Sequence, residues 1–95
     1  MTYVSSCTDK PIAELEIARQ ALRNAIDEEA PAFSPLTYAR AESELLAAEQ
    51  ELEAQYARWF WERNYVTAIE FLTWATADSH RAIEETVEIK KIHSN

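Results

Sequence analysis

Residues 34–60 read SPLTYARAESELLAAEQELEAQYARWF. Tyr38, Ala41, Leu45, Ala48, Leu52, Gln55 and Trp59 recur along this stretch at the alternating three- and four-residue spacing of a heptad. A repeat of about 3.5 residues is the signature of helices packed nearly parallel with small crossing angles. Leu46 and Phe60 widen the stripe. Such width suits a helix that touches two neighbours rather than one. Ser34 reads as an N-cap, with Pro35 at the first helical position, where its missing N–H costs nothing.

Working outward, PAFS at residues 31–34 reads as a linker. The segment before it opens at Pro11, behind candidate caps Thr8 and Asp9. Its apolar face is Ile12, Leu15, Ala18, Leu22, Ala25 and Ile26. The pattern stops at Ala30, because Pro31 disfavours helix in the residue before it. On the other side, Asn64 can take the left-handed conformation that ends a helix. Thr67 and Glu70 match a capping box. The third face is Ala68, Ile69, Leu72, Ala75, Ser79, Ala82, Ile83 and Thr86, with Lys90 and Lys91 suited to its C-terminal dipole. The expected fold is all-α: an antiparallel, up-down-up three-helix bundle with coiled-coil-like packing. It comprises a tail at 1–10, then helices at about 11–30, 35–63 and 66–92 within a bundle spanning 11–95. The first helix is shorter by roughly eight residues, about 12 Å. Its deficit falls at its N-terminal end, so the hairpin at 56–74 is expected to project.

The 95 residues fit one domain, and the net charge of −8 argues against nucleic acid and anionic lipid as partners. Glycine is absent, which excludes a glycine-rich phosphate loop. One cysteine cannot form an internal disulfide. No run approaches the roughly 20 apolar residues that span a bilayer. His80 and Glu84, at i and i+4, lack the Glu-x-x-His pattern of a di-iron bundle, so neither metal nor cofactor is expected. ADSHRA holds Ser, His and Asp on one helix, pointing in different directions, and therefore makes no triad. Glu42, Glu49 and Glu53 flank the heptad stripe, where carboxylates pair with basic residues of a neighbouring helix. No enzymatic chemistry and no small-molecule substrate are expected.

EEAPAFSPLTYARAESELLAAEQELEA at 28–54 and NYVTAIEFLTWATADSHRA at 64–82 together resemble a family of small Ala-rich bacterial envelope lipoprotein domains of unknown function. Some members of that family precede an OmpA-like domain. The resemblance rests on Ala30 and Pro31, then Ala39, Arg40, Leu45 and Ala48, then Tyr65, Ala68, Leu72, Ala75 and Asp78. It implies a non-enzymatic periplasmic domain with a structural or protein-binding role. Val4-Ser5-Ser6-Cys7 fits a lipobox, which makes Cys7 the candidate lipid-attachment residue. That reading requires a signal sequence with an apolar stretch of about 7–15 residues ahead of Met1. Thr8, rather than Asp, after the cysteine favours the periplasmic side of the outer membrane, with the lipid as the only membrane contact.

Tyr56, Trp59, Phe60, Trp61, Tyr65, Phe71 and Trp74 crowd into fewer than 20 residues. Trp59 falls on the stripe and is expected in the core. Trp61, Trp74, Phe60 and Tyr65 are the candidate interaction patch, for a protein partner or a second copy, because uncovered Trp marks interaction surfaces. The competing readings are a satellite core covered by residues 1–10, and contact with a membrane interface. The alternative function is a soluble cytoplasmic adaptor or chaperone-like module that self-associates through this tip.

Overall fold

The computed structural model describes residues 10–94. They are all-helical, and four helices pack against one another: α1 (Ile12–Asp27), the single turn α2 (Ala30–Phe33), α3 (Pro35–Tyr56) and α4 (Val66–Ser94). A 3-10 turn, Phe60–Glu62, lies in the connection from α3 to α4. α4 carries most of the contact, touching α1, α2 and α3, whereas α1 and α3 meet only lightly.

Apolar spacing explains why α4 occupies the centre. Ala68, Leu72, Ala75, Ser79, Ala82 and Thr86 are all buried, as their common face requires. Ala41, Leu45, Ala48 and Leu52 of α3 are buried too, with Leu15 and Ala18 of α1. Leu15, Ala18, Leu45, Ala48 and Leu52 join Tyr65, Ala68, Leu72 and Ala75 in the larger core cluster, and Ala25, Ala30 and Ala82 form a smaller one. Ile12, Ile26 and Leu46, expected on core faces, are instead exposed. Ala21 replaces them on α1, so the buried stripe there is narrower than the apolar pattern.

The connections differ most from expectation. α1 ends at Asp27, before the proline, because Glu29 turns left-handed at φ 70°. A non-glycine residue there costs roughly 1–2 kcal/mol. Lys90 of α4 holds the turn by donating to Glu29 Oε1 at 2.7 Å and to the Glu28 carbonyl at 3.2 Å. PAFS is not a plain linker, since Pro31, Ala32 and Phe33 complete α2. Ser34 makes no side-chain cap. Its hydroxyl donates across to Glu85 on α4, beside Thr37, which donates to the same oxygen at 2.7 Å.

α3 stops at Tyr56, short of the expected 63. Arg63 folds back, donating to the carbonyls of Tyr56 at 2.9 Å and Arg58 at 3.1 Å. Carbonyls left over at a helix end need such donors. The guanidinium also lies 4.6 Å from the Tyr56 ring centre. Asn64 does not adopt a left-handed conformation. It caps α4 instead, its Oδ1 accepting from Val66 N–H at 3.0 Å, while its own N–H donates to Gln55 Oε1. Thr67 already lies inside α4, so it and Glu70 form no capping box.

Two aromatic assignments exchange places. Trp59, expected in the core, is 66% exposed, because α3 ends three residues earlier and the heptad no longer governs it. Tyr65, expected on the patch, is 1% exposed and belongs to the core. Tyr65→Ala should therefore lower the unfolding free energy by about 3–5 kcal/mol. Trp59→Ala should change it by no more than about 0.5 kcal/mol. Urea unfolding followed by circular dichroism distinguishes the two. The Ser79 hydroxyl is buried without a partner, whereas that of Thr86 donates to the Ala82 carbonyl at 2.8 Å. Ser79→Ala should gain about 1 kcal/mol in the same assay.

Candidate functional site

The connection between α3 and α4 assembles the aromatic surface. Once Arg63 and Asn64 have closed the two helix ends, residues 58–64 lie outside the α-helical ladders that end at Ala57 and begin at Tyr65. Trp59 is extended, at ψ 143°, and leads into the 3-10 turn. That geometry brings the Trp59 and Trp61 rings into parallel contact, with centres 5.2 Å apart and planes 6° from coplanar. Both remain more than half exposed, at 66% and 63%. On the first turns of α4, Trp74 is 50% exposed and meets Phe71 edge to face at 5.6 Å. Two cations lie over the Tyr56 ring, the Arg63 guanidinium at 4.6 Å and the Lys10 ammonium at 5.4 Å from its centre. The hairpin thus carries two aromatic pairs and a tyrosine in contact with two cations.

Of the residues singled out from the sequence, Trp61 and Trp74 are on this surface and Tyr65 is beneath it. Cys7 and the side chain of Phe60 lie outside the described residues. Sequence reasoning missed Trp59 and Tyr56. The signal for Tyr56 was present: Arg63, seven residues on, is an arginine beside a chain break, able to reach back to the helix end.

A second group lies midway along the α3–α4 seam. Burial, then a hydrogen bond with Asp78, then the Asp78 charge push the Glu44 carboxyl from the ordinary 4.5 up to about 7. Arg40 and Arg81 oppose that rise. Asp78 is itself buried, with its Oδ1 3.7 Å from Arg81. Glu44 Oε1 is sealed from solvent with no donor upon it. Two ionised carboxylates cannot hydrogen-bond to each other, so the bond to Asp78 favours the protonated form of Glu44. Spacing could have shown the burial of Asp78, though not its pairing with Glu44. Asp78 lies three residues after Ala75 and four before Ala82, inside the buried face of α4.

The expected partnership of Glu49 is present: Arg19 of α1 donates to its Oε2 through Nε at 3.1 Å and Nη2 at 2.9 Å. At this exposure such a pair contributes about 0–1 kcal/mol. Among the described residues Glu42 meets no base, and it accepts from the Tyr38 hydroxyl at 3.4 Å. Among the described residues, no three His, Cys, Asp or Glu side chains gather as metal ligands. Nor is any described helix long and apolar enough to cross a membrane. No family model, curated protein or solved structure matches the chain.

A raised carboxyl favours the protonated folded state. Between its unfolded pKa of 4.5 and its folded value of about 7, the folded chain holds more protons than the unfolded one. Stability therefore falls as pH rises through that window and levels off above it. Urea midpoints at about pH 5 and about pH 8 should show the loss. Glu44→Gln, which cannot ionise, should remove most of the slope and be more stable than wild type at the higher pH.

Proposed function

We propose that this chain is a non-enzymatic, protein-binding helical module whose contact surface is the hairpin bearing Trp59, Trp61 and Trp74. The carrying observation is the exposed, parallel Trp59–Trp61 stack. Large aromatics left uncovered at the surface are the residues that anchor protein interfaces.

The proposed frame is an antiparallel up-down-up bundle of α1, α3 and α4 with coiled-coil-like seams. Pairings between the helices support it. Ser34 and Thr37, at the start of α3, meet Glu85 late in α4, while Leu52 near the end of α3 shares a core cluster with Tyr65 and Leu72. Arg19 meets Glu49, and Lys90 meets the end of α1.

The proposed setting is the bacterial envelope, on the periplasmic side of the outer membrane, with lipid on Cys7. The Val4–Cys7 tetrad and the family resemblance support it. Lys10, three residues after Cys7, sits against Tyr56, so a lipid there would tether the chain from the aromatic end. A soluble adaptor that self-associates through the same hairpin is the alternative, and it rests on the same stack.

Metabolic labelling with palmitate of cells expressing the native gene should mark wild type and leave Cys7→Ser unmarked. An unlabelled wild-type chain removes the envelope setting and leaves the adaptor. The surface is tested separately with Trp59→Ala/Trp61→Ala/Trp74→Ala. These side chains are at least half exposed, so the fold should survive. Association with the partner or with a second copy should weaken about tenfold or more. Unchanged sedimentation, unchanged envelope attachment and unchanged thermal stability together would remove the hairpin from the reading.

A further inference from the structure

The opposite end of the molecule carries a different surface. Where α2 turns into α3, the chain lies over the last third of α4 and leaves a groove of about 530 Å³. Its apolar lining is Phe33, Pro35, Leu36 and Ile89. Leu36 is 84% exposed, and Ile92 continues the apolar strip one turn beyond Ile89. Its rim is acidic, formed by Glu84, Glu85 and Glu88 of α4. Val66, at the start of α4, is 23 residues from Ile89, or about 35 Å along the helix, so this groove and the aromatic hairpin are separate surfaces.

We propose that this groove docks a basic amphipathic helix of a partner protein, seating one bulky apolar side chain against Leu36 and Ile89 while flanking Lys or Arg residues meet the acidic rim. Charge complementarity selects that occupant. Three carboxylates line the groove; of the two neighbouring lysines, Lys91 lies 3.8 Å from Glu88, and Lys90, 5.3 Å from the Phe33 ring centre, is engaged by Glu29 Oε1 at 2.7 Å. A second copy of a chain with net charge −8 brings more negative charge to the rim, and an anionic lipid surface does the same. The rim is also built to stay charged. The Ser34 and Thr37 hydroxyls donate to Glu85 and hold its carboxyl below the usual range. Apolar anchors in a groove give an amphipathic helix its affinity, and the surrounding charges give it orientation.

The whole 95-residue chain is titrated with a synthetic helical peptide of about 14 residues, four turns, with leucines on one face and lysines on the other. Backbone amide chemical shifts map the contact. The expected result is shifts concentrated at residues 33–37 and 84–92, with binding that weakens as salt rises. Leu36→Ser should weaken binding about tenfold without disturbing the fold, since that side chain is already exposed. Glu84→Gln/Glu88→Gln should weaken it about fivefold and flatten its salt dependence. A matched leucine–glutamate peptide should not bind. Four results would each overturn the proposal. The first is shifts spread over the acidic faces of α1 and α3 or gathered at the aromatic hairpin. The second is indifference to Leu36→Ser. The third is concentration-dependent dimerisation that buries the groove. The fourth is equal binding of the leucine–glutamate peptide.

Discussion

The buried row of small side chains along α4 sets how closely the other helices approach. Ala68, Ala75, Ser79 and Ala82 present little bulk, so α1 and α3 can pack near the α4 backbone while Leu72 and Tyr65 fill the wider part of the core. Interhelical distance follows the size of the side chains at the contact. The arrangement concentrates burial on one helix, and α1 and α3 are joined mainly through it. The same row leaves few places for polar groups. Of the polar groups there, the Ser79 hydroxyl has no hydrogen-bond partner among the described residues, and Asp78 faces the Glu44 carboxyl across the seam.

A chain without glycine must make its turns by other means, and here long side chains do that work. Arg63 donates to the carbonyls at the end of α3, Asn64 accepts at the start of α4, and Gln55 joins the two. At the other end Lys90 reaches across from α4 to the left-handed Glu29. In each case a polar side chain replaces what a flexible backbone would otherwise supply. The consequence at residues 57–65 is functional, because a connection closed by its flanks is free to present Trp59 and Trp61 outward.

Charge is distributed unevenly around this frame. Near the aromatic hairpin, Lys10 and Arg63 both lie over the Tyr56 ring, so cations meet an aromatic face there. At the far end, Glu84, Glu85 and Glu88 border an apolar groove. Between them Glu44 and Asp78 meet across the seam. The molecule therefore offers two surfaces of different chemistry, separated by the stretch of the α3–α4 seam where burial and Asp78 raise the Glu44 pKa.

Periodicity alone was enough to show that the chain is helical, where α4 begins and most of its buried face, although Ile69 and Ile83 are only half-buried and Asp78 is buried. Periodicity is a local property, and α4 has a face that is apolar or small at nearly every expected position. Helix ends were less legible. Whether α3 stops at Tyr56 or runs to residue 63 depends on Arg63 and Gln55 finding partners across the turn, and that pairing exists only once the chain has folded back. The aromatic cluster was visible as composition, but its sorting into an exposed Trp59 and a buried Tyr65 was not. Only the tertiary structure decided that, because burial belongs to what lies across from a residue rather than to its place in a repeat. The Glu44–Asp78 pair and the acidic-rimmed groove have the same origin. Each joins residues more than 30 positions apart, which a single helical pattern cannot relate.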